Sequence, residues 1–158
     1  MAETPAFLAE RLRTEGQKMA SFFNSLSDNQ WGLSVYTEGT TWKVRDVLAH
    51  FVTAERGFLR LFADVIAGGA GVSSDFDIDR YNASQYKKTQ AFTPEELLSQ
   101  FVAVREEMTS LVGSMSDADL QRQGRHPFLG ITPLVDMVKM VYRHNQIHYR
   151  DVRRLMGE

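Results

Sequence analysis

Thr93-Pro94-Glu95-Glu96-Leu97-Leu98-Ser99-Gln100-Phe101-Val102-Ala103-Val104-Arg105-Glu106-Glu107-Met108 is the stretch whose reading decides the fold. The Thr93 hydroxyl can accept an orphan backbone N–H at a helix start. Pro94 is tolerated at the first helical position, where its missing N–H would be unpaired anyway. Glu96, three residues on, completes a capping box. Behind this start Leu97, Phe101, Val104, Met108 and Leu111 recur at helical spacing, one apolar stripe on a long helix. The same Thr-Pro pair recurs at Thr4-Pro5 and Thr132-Pro133, and a fourth start falls near Thr41–Lys43, ahead of Val44, Val47, Leu48 and Phe51. These signals predict four helices, about Pro5–Leu26, Val44–Ala67, Pro94–Met115 and Pro133–Met156. The last carries Leu134, Val138, Val141, Val152 and Leu155 on one face and Asp136, Arg143, Arg150 and Arg154 on the other. Strand alternation is short-lived. The expected fold is all-α, a four-helix bundle with a long connection between helices two and three.

Two features qualify that frame. Leu26-Ser27-Asp28-Asn29-Gln30-Trp31 and Met115-Ser116-Asp117-Ala118-Asp119-Leu120 give the same apolar-Ser-Asp pattern, each followed by a loop and a Thr-initiated helix. This is either an internal repeat or two instances of a common helix-stop signal. The connection Gly68–Thr93 is long for a bundle loop and reads as a flexible linker, a crossover or a lid. Its Asp75-x-Asp77-x-Asp79 run resembles the start of a calcium loop, but Arg80 stands where the turn glycine belongs and Tyr86 where the closing glutamate belongs, so an EF-hand is excluded.

Composition narrows the chemistry. The chain has 158 residues, no cysteine and four histidines. One domain spanning 1–158 is expected at this length. Disulfides, cysteine nucleophiles and cysteine-ligated metals are excluded, so any metal site must use imidazole and oxygen ligands. A formal net charge of −2 gives no overall basic field, and no nucleic-acid partner is expected. Met1–Ala9 does not read as a signal peptide and no stretch approaches a membrane span, so the expectation is a cytoplasmic chain with no membrane partner.

His144 and His148, four residues apart, project from one helix face and can share a cation. The residues between them are Asn145, Gln146 and Ile147, so the glutamate of the zinc-protease helix is missing and a peptidase mechanism is excluded. His50 sits mid-way along helix two, on a face with Val47, Ala54, Gly57 and Leu61. It reads as a satisfied core histidine or, if helices two and four are neighbours, as a third ligand. Asp46, one turn before His50, and Asp151, three residues after His148, are candidates to accept the other ring N–H of an imidazole ligand and so fix its tautomer; each also reads as a surface acid. His126, in Gly124-Arg125-His126-Pro127, reads as a surface loop residue. The arginines of helix four read as a solvated face or dimer rim.

Trp42 with Arg45-Asp46-Val47-Leu48-Ala49-His50, then Asp79-Arg80-Tyr81-Asn82, then His144-x-x-x-His148 ahead of Leu155-Met156-Gly157, resembles the DinB/YfiT-like superfamily over nearly the whole chain. Within it the resemblance is nearest to the mycothiol-dependent maleylpyruvate isomerase N-terminal domain. Lys43 departs from the usual Ser or Thr helix cap, and Tyr149-Arg150 departs from the usual continuation of the histidine pair, which leaves the substrate open. The resemblance implies a bundle whose His50, His144 and His148 form an open divalent-metal site, with zinc or nickel as the common occupant. It also implies a frequent homodimer and a small-molecule substrate. Three imidazoles leave a coordination position free, the catalytic pattern. By resemblance the chemistry would be thiol-dependent transfer or isomerisation of a small electrophile, with a low-molecular-weight thiol as cosubstrate. The other reading is a non-catalytic bundle that binds a metal or ligand.

Overall fold

The computed structural model describes residues 3–157; Met1, Ala2 and Glu158, at the ends of the expected 1–158 domain and of the Met1–Ala9 segment, lie outside the described residues. In chain order the elements are α1 (Pro5–Asn24), α2 (Asp28–Trp31), β1 (Ser34–Tyr36), β2 (Trp42–Lys43), α3 (Val44–Ile66), α4 (Ile78–Thr89), α5 (Pro94–Gly113), α6 (Asp117–Leu120), β3 (Gln123–His126), β4 (Gly130–Pro133) and α7 (Leu134–Leu155). The four long helices α1, α3, α5 and α7 are the expected bundle. Thr4 Oγ1 accepts from Phe7 N at 3.1 Å to start α1. Thr93 and Glu96 form the expected capping box on α5. Lys43 cannot cap with its own side chain, and Asp46 does so instead by accepting from Lys43 N at 3.0 Å.

Three sequence expectations are corrected. Thr132-Pro133 is not a cap and first helical residue: both belong to β4, paired with β3 through Gly124↔Thr132 and Gln123↔Pro133, and the helix begins at Leu134. Pro133 has φ −65°, which suits a strand end as well as a helix start, so the dipeptide alone could not decide. Two antiparallel hairpins, β1–β2 and β3–β4, stand where weak strand signals suggested loop; their strands are too short to show alternation. The Gly68–Thr93 connection is not a linker. It contains α4, capped by Asp77 accepting from Arg80 N and fastened to α3 where Arg45 donates to the Thr89 and Phe92 carbonyls. Ahead of α4 the chain runs against the second hairpin, with Arg125 N donating to Ala70 O at 2.8 Å and Val72 N to Arg125 O at 2.9 Å. Gly71, at φ +90°, permits this approach, because a Cβ there would lie 2.4 Å from Arg125 N.

The two Ser-Asp segments are matched parts of a structural repeat. Each opens a one-turn helix with its own capping box, Ser27 with Gln30 and Ser116 with Asp119. Each is followed by a hairpin and a long helix, so α1–α2–β1–β2–α3 and α5–α6–β3–β4–α7 have one element order. The seams agree: Val44 N donates to Leu33 O at 2.9 Å and Leu134 N to Arg122 O at 2.8 Å. Counted from the helix starts, Leu8 matches Leu97, Leu12 matches Phe101, Met19 matches Met108 and Phe23 matches Val112, and all eight are buried.

Two apolar clusters make the core, one around Leu12, Phe62, Met108 and Val138 and the other around Phe23, Val47, Phe51 and Phe101. On α3, α5 and α7 a polar layer comes between them. The buried Arg105 guanidinium makes two 2.8 Å bonds to Glu55, one of 2.5 Å to Asn145 Oδ1 and one of 3.1 Å to Leu12 O. All four long helices are thereby joined. Gly16 leaves the room for it, since a Cβ there would lie 2.6 Å from Arg105 Cγ. Removing one partner of such a buried pair leaves an uncompensated charge and costs about 3–5 kcal/mol. Among the described residues no helix is long and apolar enough to cross a membrane.

Candidate metal centre

His50 projects from the middle of α3, and His144 and His148 from successive turns of α7. The structure brings the three together: each offers a ring nitrogen, and these atoms all lie within 4.8 Å of one another. His50 Nε2 faces His144 Nε2 at 3.0 Å. The ring centroids are 4.8 Å apart for His50–His144, 5.3 Å for His50–His148 and 4.8 Å for His144–His148. His50 and His144 are buried and His148 half-buried at the rim.

Tyr36, at the end of β1, was not singled out in the sequence, and it organises the outer side of the cluster. Its hydroxyl lies 2.8 Å from His148 Nδ1 and donates to Asp151 Oδ2 at 2.5 Å. A phenol has one proton, and this one goes to the carboxylate. Toward His148 the oxygen therefore accepts, the ring proton sits on Nδ1, and Nε2 keeps its lone pair. Asp151 thus reaches the imidazole through Tyr36. Burial and the Asp151 carboxylate push the Tyr36 phenol well above its usual range. Asp46 lies elsewhere: its carboxylate takes Lys43 N, Arg45 and Gln90 and secures α3 to α4.

All three imidazoles are held neutral. Burial, reinforced by the two neighbouring imidazoles, keeps His50 well below the usual histidine range. Burial, reinforced by the neighbouring imidazoles of His148 and His126, takes His144 to about 4. His148 is lowered by burial, with Asp151 partly opposing. Neutral imidazole is the form that binds metal, so the donor set fits a divalent ion: two Nε2 atoms meet, a third ring is held in the matching tautomer, and cysteine is absent. His144 Nδ1 is buried with no hydrogen-bond partner, so this ring, unlike His148, is fixed by packing, with Phe128 stacked beside it at 6.0 Å. The cluster opens into a cleft of about 420 Å³, walled by Tyr36, Trp42, Met140 and Phe128.

His126 is not a surface residue. It is 2% exposed, stacked on Phe58, and its Nδ1 accepts from Phe128 N at 3.0 Å and Leu129 N at 3.3 Å. Its imidazole closes the turn after β3, which a Gly-Arg-His-Pro string does not reveal. Burial lowers its pKa to about 4. Arg150 and Arg154 are exposed and only approach Asp151, at 3.9 and 4.0 Å.

A four-helix bundle with an open cluster of three histidines between α3 and α7 defines the class of protein. The sequence from residue 11 to residue 152 matches the model of the DinB superfamily, and the chain belongs to that superfamily. YfiT from Bacillus subtilis, described as a "probable metal-dependent hydrolase with an unusual four-helix bundle topology", is similar at 19% identity and TM-score 0.75, over 95% of this chain and 86% of that one. The mycothiol-dependent maleylpyruvate isomerase is similar at 16% identity and TM-score 0.74, over 96% of this chain and 63% of that one. The colibactin self-resistance protein ClbS, solved with double-stranded DNA, is similar at 13% identity and TM-score 0.74, over 99% of this chain and 96% of that one. At these identities the likeness establishes the fold, and the expectation of no nucleic-acid partner stands beside one neighbour that holds a duplex. The sequence matches no curated protein.

Proposed function

We propose that the chain is a metal-dependent enzyme in which His50, His144 and His148 hold one divalent ion, zinc or nickel, and which joins a low-molecular-weight thiol to a small electrophile or isomerises it with the thiol's help. The observation that carries this reading is the convergence of three neutral imidazoles on one side of an open cleft. A divalent ion there supplies Lewis acidity to a thiol or a carbonyl. The chain supplies the rest. Tyr36 and Asp151 hold His148 in one tautomer and orientation. Trp42, 5.0 Å from His50, and Phe128 restrict water around the imidazoles. Met140 gives the cleft an apolar floor for the electrophile. The similarity to the mycothiol-dependent maleylpyruvate isomerase supports the thiol, and the absence of cysteine requires any thiol to come from outside.

A metal-free and metal-restored comparison tests this. Conversion of the electrophile and loss of thiol are both followed against a panel of small electrophiles with mycothiol, bacillithiol, glutathione and no thiol. Turnover that requires both a thiol and the ion is expected. Turnover without a thiol would favour hydrolysis, the reaction named for YfiT, and turnover unchanged by metal removal would overturn the catalytic role and leave a metal- or ligand-binding bundle. The homodimer and the cytoplasmic location belong to the same proposal and rest on the resemblance; sedimentation of the purified chain tests the first.

A further inference from the structure

A second cavity, of about 240 Å³, adjoins the histidine cleft, and His50, Asn82 and Phe128 line both. Its walls are Ala54, Phe58 and Leu61 of α3, Val72 and Phe76 of the segment before α4, and Phe128 of the second hairpin. An apolar cavity of about 150 Å³ holds a benzene ring, so this one admits a ring-sized body with a short arm. Gly57 belongs to the wall as well: Tyr81 covers it, and a Cβ there would meet the Tyr81 hydroxyl at 3.3 Å. That hydroxyl is anchored by donating to Thr53 O at 2.9 Å.

Two polar groups of this cavity have no use in the fold. Arg60 pairs with no carboxylate among the described residues, and its one bond is a long 3.4 Å contact to the Tyr81 hydroxyl. Asn82 stands where the two cavities meet, and its amide makes no hydrogen bond among the described residues. The only acid on the wall, Asp64, faces the glycine turn, where it accepts from Gly71 N at 3.0 Å. An apolar chamber therefore has at its exposed rim a cation with no carboxylate partner among the described residues, an amide with no hydrogen bond among them where the two cavities meet, and the histidine cluster next door. Arg60 is exposed at the rim and Asn82 is half-buried; a few placed polar groups define the orientation of a small ligand in an otherwise apolar pocket.

We propose that this chamber is the substrate-body subsite of the same site, and that it selects a small molecule with a ring-sized apolar body and a terminal carboxylate, the carboxylate held by Arg60 and the reacting end presented past Asn82 to the histidines. This rests on the reading above that the histidine cleft is the reaction centre, and it makes Arg60 and Asn82 specificity-determining residues.

The test titrates 3-phenylpropanoate, with neutral 3-phenylpropanol as control, into the metal-free full-length protein and follows backbone amide resonances by NMR. Without metal, Arg60 is the one cationic side chain among the residues that line the chamber. The acid is expected to shift Gly57, Leu61 and Val72 and to bind about tenfold more weakly to Arg60→Gln, the loss of one charge-assisted contact. The alcohol is expected to bind wild type and Arg60→Gln alike. Equal binding of the acid to both proteins, or shifts confined to other surfaces, would overturn the proposal. Asn82→Ala is the second variant, with acid binding retained and, in the loaded enzyme, a kcat loss at unchanged KM; unchanged kcat would remove Asn82 from the proposal. Metal titration of the same samples separates the two readings: Arg60→Gln takes up metal as wild type does if the cluster is sound, whatever happens to the acid.

Discussion

The two halves of the bundle place matched residues in matched positions and give them opposite chemistry. Tyr36 and His126 each lie eight residues before the first residue of the following long helix, and each packs on the long helix of the other half. Their partners also match: His148 and Phe58 both lie 14 residues beyond their helix starts. Three residues further on, Asp151 on α7 answers Leu61 on α3, and one turn earlier His144 answers Ala54. On α7 the set is polar, linked by hydrogen bonds and open to a cleft. On α3 it is apolar and lines the neighbouring chamber. Nearer the middle, Glu55 and Asn145 also match, as do Gly16 and Arg105, and the four meet in one polar layer. A repeated half thus supplies geometry twice. The α7 copy carries two of the three clustered imidazoles, and the α3 copy carries His50 and the apolar wall beside it.

The comparison breaks most severely at the layer both halves share. Glu55→Ala strands the Arg105 charge and is expected to lower stability by about 3–5 kcal/mol, read as a fall in the urea midpoint; Asn145→Ala, which removes one bond to a cation still paired with Glu55, is expected to cost less. Next comes the polar half. Tyr36→Phe keeps the ring but breaks the link from His148 to Asp151, and is expected to weaken metal binding by roughly 10–100-fold with the fold intact. The mirrored change, His126→Phe, touches the set packed on Phe58 and reaches the cluster only through Phe128, so it is expected to weaken metal binding much less; an equal loss in both would show that the two matched sets are not chemically distinct. The smallest effect is in pH. The buried histidines are held below the unfolded value of 6.5, His126 and His144 to about 4. Well above 6.5 these histidines are neutral in both the folded and the unfolded state and add no pH dependence to stability. Between 6.5 and about 4 the unfolded chain takes up protons that the folded chain does not, so metal-free stability falls with pH. His126→Phe is expected to make that fall shallower in urea titrations.

Much of this was legible in the residues. Thr93-Pro94 with Glu96 and the Leu97, Phe101, Val104, Met108 stripe specify a helix locally, because capping and periodicity are properties of neighbours in sequence. His144 and His148 are legible as a pair for the same reason. Thr132-Pro133 misleads because strand pairing with Gly124, decided by residues outside the dipeptide, competes with capping. Tyr36 was invisible because its partner lies 112 residues away and a tyrosine in a three-residue strand carries no periodic signal. His126 misleads because its burial comes from Phe58 on another element. Asp46 and Asp151 both looked able to serve an imidazole, and only the packed geometry shows that one caps a helix and the other reaches His148 through a phenol.

The central claim is that His144 and His148 of α7, together with His50 of α3, form a metal centre, whereas the matched apolar set on α3 does not. Calorimetric titration of zinc into the metal-free protein tests it most directly, with wild type, His148→Ala and the positionally matched Phe58→Ala compared under one set of conditions and checked for fold by circular dichroism. The account expects one ion per chain for wild type and for folded Phe58→Ala, and loss of that site in His148→Ala. Weak, substoichiometric uptake that is the same in wild type and His148→Ala would contradict it.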